Sequence, residues 1–166
     1  MNREFAYGME DKGYELLKKF NEFLHIQQLV RTPRNYQACD ASGYTTDGTP
    51  IVIEIKVRNQ KYDGDKVIGK NYTADTIYIE DHKVGSMLLE HVVNKSIPLY
   101  VNFLDDAIIV YNLAKLSKRP KITSQQIKSK LYESVEICKR VELPLDEAFI
   151  YDLNNFELIH KPNDQR

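Results

Sequence analysis

The sequence predicts a mixed α/β domain, a central sheet flanked by helices, and three observations carry that reading. Residues 7–25 repeat their apolar side chains at helical spacing. Three short strand-like runs follow between residues 27 and 58, separated by Pro, Gly and Asp-Gly signals. A second helical stretch then leads into two β-branched, aromatic runs broken only by Asp105-Asp106.

In the first element, Met9, Leu16, Leu17, Phe20, Phe23 and Leu24 mark one face of an amphipathic helix. At about 100° per residue that face centres near Phe20 and Gly13, which puts Glu10 on its flank and Glu15 and Glu22 in solvent. Glu10 is therefore the carboxylate able to reach inward, unless it is simply a solvated helix charge. Gln27–Arg31 reads as a strand stopped by Pro33 and the Arg34-Asn35 turn.

Residues 36–42 read as the next strand, and Asp47-Gly48 marks a hairpin into residues 51–58. There Ile51, Ile53, Ile55 and Val57 alternate with Val52, Glu54, Lys56 and Arg58. Strand alternation sends the two sets to opposite faces, one all apolar and one mixed. Residues 59–75 are polar and Lys/Asp-rich, and read as a long loop. Residues 76–80 are a short strand or the entry to a helix, Asp81 is placed to cap the helix over 82–95, and Val84, Met87, Leu88, Val92 and His91 should face its core. Residues 97–104 and 107–113 form an antiparallel hairpin. Beyond it, a basic connector around Pro120 precedes a helix capped by Ser124, with Ile127, Leu131, Val135 and Cys138 on one face and Pro144 at its end. That helix, with Lys128, Lys130, Lys139 and Arg140 against Glu133 and Glu136, could be a polyanion-facing surface or a dimer arm, or a solvated helix packed on the sheet. Short strands over 148–153 and 156–159 and a frayed tail complete the chain. The division expected is a core over residues 1–113 and an extension over 114–166 packed on the same domain.

At 166 residues the chain is long enough for one domain burying about two-thirds of its unfolded surface. No apolar run approaches the roughly 20 residues that span a bilayer, and the N-terminus has no signal-peptide core, so a cytoplasmic protein is expected. Cys39 and Cys138 are too few for a disulfide framework, and Cys39 should point into the core. His25, His91 and His160 have no ligand-spaced partner, so zinc is not expected, and no Gly-rich phosphate loop appears. The net charge of −1 means that any nucleic-acid surface must be a local patch.

The residues with chemistry in them surround the Asp47-Gly48 turn. Asp40 and Glu54 sit at the ends of adjacent predicted strands, and two carboxylates held that close repel unless a cation shares them. Oxygen ligands of this kind suit Mg²⁺ or Mn²⁺. Lys56 shares the face of Glu54, about 7 Å along the strand, where an ammonium can stabilise charge developing on a phosphate. The carbonyl of Ile55 lies between them. An E-x-K triplet alone arises by chance in a chain with 28% charged residues, and the same residues also read as an ion-paired exposed sheet face.

Asp40 with Glu54-Ile55-Lys56 behind an N-terminal helix resembles the PD-(D/E)xK nuclease superfamily. The run from Ile77 to Leu113 looks like the second half of archaeal-type Holliday junction resolvases, and Glu10 precedes Leu16 and Leu17 as that group's helical acid precedes its apolar pair. Cys39 stands where many members have Pro. The resemblance covers about residues 5–113. It implies a restriction-endonuclease-like core, to which the residues beyond 113 add a C-terminal helix-plus-strand extension of their own. It also implies a Mg²⁺- or Mn²⁺-dependent endonuclease acting on double-stranded or branched DNA, or an inactive relative that only binds. Asp40, Glu54, Glu10 and the Ile55 carbonyl would serve the metal, with Lys56 on water and phosphate. Such relatives pair as homodimers because they cut two strands symmetrically.

Arg31, Arg34, Arg58 and Lys61 cluster around the hairpin and, with Lys66 and Lys70, either neutralise flanking phosphates or balance Asp47, Asp63 and Asp65 on a solvated loop. Tyr62 and Tyr72 could stack on unpaired bases. Lys83, at the start of the second helix, either supports a phosphate or is solvated.

Overall fold

The strand with two unlike faces divides the molecule. In the computed structural model, which describes residues 3–33, 39–128 and 135–162, Ile51 and Ile53 pack under helix α1 (Arg3–Leu24) together with the fully buried Leu17 and Phe20. Val52, on the opposite face, packs in a second core layer with Met87 of helix α2 (Asp81–Asn94). A face of β-branched side chains fits under a helix ridge, and here it does so closely enough to require Gly13. A Cβ at that position would lie 2.9 Å from Cγ2 of Ile55 and 3.3 Å from Cγ2 of Val57.

Strand β1 (Gln27–Arg31) pairs antiparallel with β2 (Ala41–Tyr44), which pairs antiparallel with β3 (Pro50–Val57). Residues 36–38 of the strand expected before β3 lie outside the described residues. Gly48 turns the β2–β3 hairpin at φ +85°, a left-handed conformation that costs glycine little. The Asp47 carboxylate accepts from the Thr45 and Thr49 hydroxyls and from the Thr49 amide.

After β3 the chain is not a loop, as its polarity suggests, but a three-stranded antiparallel meander. Its strands are β4 (Lys61–Asp63), β5 (Lys66–Gly69) and β6 (Tyr72–Ala74). Two-residue turns at Gly64-Asp65 and Lys70-Asn71 close it, and Gly64 takes φ +63°. Strands of three and four residues, with Val67 alone fully buried, are too short to show a period of two.

Strand β7 (Thr76–Glu80) feeds α2, whose N-cap is Glu80 in extended backbone with no side-chain cap bond, so Asp81 is the first helical residue rather than the cap. Met87 is buried and Val84 and Leu88 are half-buried, whereas Val92 is 64% exposed and belongs to the outer face. The helix carries the chain over to β8 (Ile97–Phe103), which runs parallel to β3, and β9 (Ala107–Asn112) returns antiparallel. This order of helix, antiparallel β1–β2–β3, crossover helix, parallel β8 and antiparallel β9 is a mixed α/β core of the kind expected of a restriction-endonuclease-like chain.

Among the described residues the predicted C-terminal helix is replaced by strands. Residues on either side of the undescribed 129–134 form an antiparallel pair, β10 (Lys121–Lys128) and β11 (Val135–Pro144), and Ser124 faces Lys139 in its ladder. Leu131 lies outside the described residues. Apolar side chains at 127, 131, 135 and 138 satisfy a helical period, but Val141 and Leu143 are buried where β11 pairs with β7. An available sheet edge thus overrides the local preference. Finally β12 (Phe149–Asp152) adds to β9, and β13 (Leu158–His160) to β12. Among the described residues the central sheet has the order β1-β2-β3-β8-β9-β12-β13, with β10-β11-β7 and β4-β5-β6 as smaller sheets. The tail beyond residue 162 is outside them. No helix among the described residues is long and apolar enough to cross a membrane.

Candidate active site

The β2–β3 ladder begins at Ala41 opposite Ile53. One residue earlier, the Asp40 amide donates to the Ile53 carbonyl at 2.8 Å, and the Asp40 carbonyl accepts from Thr32 at 3.0 Å. The chain has then left the ladder, so among the described residues the next inward amide of β3, that of Ile55, has no strand partner on this side. It donates instead to Oδ2 of Asp40 at 2.8 Å. The Asp40 carboxylate is thereby held against the edge of β3 at residues 54 and 55. In a strand the carbonyl of a residue points to the same edge as its amide, so the Ile55 oxygen faces Asp40 as well.

Glu54 projects from the α2 face of β3 and is 7% exposed. Nζ of Lys83, in the first turn of α2, approaches its Oε2 to 3.2 Å. Burial, and then the charge of Asp40, push the Glu54 carboxyl up to about 7, against the smaller opposing effects of Lys83 and Lys56. Burial also lowers the Lys83 ammonium, but the carboxylates of Glu54, Asp40 and Glu80 outweigh it and the net shift is upward. Burial thus outweighs the lysines at Glu54, whereas the surrounding carboxylates outweigh burial at Lys83. Lys56 lies two residues beyond Glu54 and is exposed.

The remaining expected site residues are distributed differently. Glu10 is exposed on α1, the helix that packs over the Ile55–Val57 face of β3, while Glu54 leaves from the other face. Among the described residues no three His, Cys, Asp or Glu side chains come together closely enough to hold an ion, so Glu10 does not stand with Asp40 and Glu54. Arg31 is engaged by Asp11 at 2.5 Å and lies over the Tyr14 ring, 5.8 Å from its centroid. Arg34 is outside the described residues. Lys61 is exposed on β4. Tyr62 is half-buried against the core, and Tyr72 is 40% exposed. Cys39 is buried, with its thiol pushed up to about 11 chiefly by burial, which makes it core rather than nucleophile.

No family model matches this chain, and neither does any curated protein. Among solved structures it is similar to Hjc, a Holliday junction resolvase of Archaeoglobus fulgidus. The likeness has 12% identity and a TM-score of 0.47, and covers 80% of this chain and 84% of that one.

Arg58, expected at the surface, turns inward. Its Nε donates to Oδ1 of Asn102 at 2.9 Å, and its Nη2 to the Tyr78 carbonyl at 2.8 Å and the Tyr100 hydroxyl at 2.9 Å. Its guanidinium also lies over the Tyr78 ring, 4.7 Å from the centroid, and Arg140 of β11 approaches the same ring to 4.0 Å. Tyr100 and Asn102 stand opposite Glu54 and Lys56 in the parallel β3–β8 register, so this buried network forms the floor beside the carboxylates. Asn102 has no sequence signal, since it is one polar residue in the otherwise apolar run IPLYVNF.

Proposed function

We propose that this protein is a Mg²⁺- or Mn²⁺-dependent DNA endonuclease. The observation that carries the reading is the buried Glu54 beside the Asp40 carboxylate at the edge of β3, with Lys56 next on the same face. Two carboxylates and the Ile55 carbonyl suit a hard divalent ion, which normally takes one or two protein carboxylates and keeps several waters. The Asp40 charge, which after burial is what raises Glu54, also favours a cation there. Such an ion, when bound, supplies charge neutralisation and an activated water. Asp40 is kept in position by the Ile55 amide, and Lys83 favours the ionised form of Glu54. Lys56 would donate to a non-bridging phosphate oxygen and stabilise charge as the ester bond breaks. Glu10 stays outside this set. The substrate proposed is double-stranded or branched DNA, cut in the cytoplasm by a homodimer.

The test is incubation of the protein with supercoiled and branched DNA in Mn²⁺. Wild type should nick, and Asp40→Ala and Lys56→Ala should not. Absence of any nicking that both substitutions remove would end the enzyme reading.

One observation favours a second reading, a nuclease fold that binds without cutting. Lys83 already places an ammonium 3.2 Å from Oε2 of Glu54, where a metal would otherwise balance the charge. That reading requires nucleic-acid or protein binding unaffected by EDTA, and no Mn²⁺ at Asp40 and Glu54 in a soaked crystal.

A further inference from the structure

β11 pairs with β7 only from Arg140 to Pro144. Beyond Arg140, residues 135–139 pair only with 124–128 of β10, which is itself a sheet edge. Among the described residues the outer half of this hairpin is therefore a two-stranded ribbon with no third strand, an arrangement of marginal stability alone in water. It leaves the body where Arg140 faces Glu80, three residues before Lys83 and its contact with Glu54.

The connector and the ribbon together are basic. Residues 115–140 hold eight Lys or Arg against two Glu, three of the eight lying in the connector before β10, and the ribbon over 121–144 holds five Lys or Arg against three Glu. The ion pairs at the ribbon's root have exposed lysines, Lys118 to Asp146 at 3.2 Å and Lys121 to Glu142 at 3.9 Å. Pairs of this kind hold their lysines weakly. Strand alternation and the ladder put Ile122, Ser124, Gln126, Ile137 and Lys139 on one face, and all five are exposed. That face offers hydroxyl, amide and ammonium groups with two aliphatic side chains and no carboxylate.

We propose that the β10–β11 ribbon is a duplex-gripping arm that lies along DNA beside the candidate active site. A two-stranded ribbon fits the B-DNA major groove, and Lys, Ser and Gln side chains reach its phosphates and base edges. Arg140 secures the arm's root, because its guanidinium packs on Tyr78, the residue whose carbonyl Arg58 binds beside Tyr100. The inference rests on the nuclease reading for its choice of polyanion, but its test does not require cutting.

The test is fluorescence anisotropy with a short labelled DNA duplex in EDTA, titrated with salt. Wild type should bind with a steep salt dependence. The variant Lys128→Gln/Lys139→Gln should bind about tenfold or more weakly, with a log–log salt slope smaller by about two. Arginine at the same two positions should restore binding, which separates lost charge from lost folding. An unchanged affinity or slope in the glutamine variant overturns the proposal. So does wild type that ignores duplex, or that prefers phosphatidylserine vesicles to it. Binding through the ribbon without nicking in Mn²⁺ removes only the enzyme reading, whereas nicking with ribbon-independent binding removes only the arm.

Discussion

Lys83 lies 3.2 Å from Glu54, and this contact joins the first turn of α2 to the middle of β3 across 29 residues of sequence. It is a short contact between partly buried groups, with side chains 19% and 9% exposed, yet it does not bring the Glu54 carboxyl down to its ordinary range. Burial and Asp40 prevail, and that imbalance has measurable consequences.

The first is a pH dependence of stability in metal-free buffer. Glu54 titrates at about 7 when folded and near its ordinary 4.5 when unfolded, so the folded state binds more protons between those values. Stability from this group is fully present below about 4.5 and is lost as pH rises through about 7. The loss approaches about 3 kcal/mol. Denaturant unfolding of wild type and Glu54→Gln in EDTA should show a difference that grows in wild type's disfavour across that window. A difference flat with pH counts against the burial argument.

Removing Lys83 should deepen the effect. Lys83→Met takes away the opposite charge nearest Glu54, and the carboxyl should titrate higher still, by about one unit or more. A ¹³C NMR titration of the Glu54 carboxyl reads this directly. Any cleavage activity should show its alkaline rise displaced the same way.

Asp40 serves structure as well as chemistry, and two substitutions separate the roles. Asp40→Ala strands the Ile55 amide and should cost about 1–3 kcal/mol. Asp40→Asn keeps an acceptor oxygen for that amide while removing the charge. Thermal unfolding should place the Asn variant near wild type and the Ala variant below it, with Mn²⁺ binding by calorimetry impaired in both.

Two helical glycines should respond oppositely to alanine. Gly85→Ala on α2 meets nothing within 4 Å and should stabilise by about 0.5–1 kcal/mol through helix propensity. Gly13→Ala would bring a methyl to 2.9 Å from Cγ2 of Ile55, a stiff β-branched carbon. Overpacking of that kind costs about 1–3 kcal/mol, so this variant should unfold at lower denaturant despite its better helix former.

Local chemistry made much of the fold legible. Apolar residues at helical spacing specify α1, Asp47-Gly48 specifies the β2–β3 turn, and the β-branched runs around Asp105-Asp106 specify β8 and β9. Asp40 comes to β3 because a short hairpin leaves it little freedom, so its proximity to Glu54 was also readable. What spacing cannot determine is which partner lies across a gap. Residues 121–144 fit a helical period and a strand pair alike, and the free edge of β7, with Val141 and Leu143 to bury against it, decided for strands. Arg58 reads as a surface cation until Asn102, Tyr100 and the Tyr78 carbonyl, each from a distant segment, provide inward acceptors. Glu10 shares a helix with the residues packed on Ile55 and Val57, but only the side of the sheet that α1 covers determines whether its carboxylate meets Glu54. Helical and strand periods are properties of neighbours in sequence, whereas the choice of face, edge and counter-ion is made by burial between segments far apart in the chain.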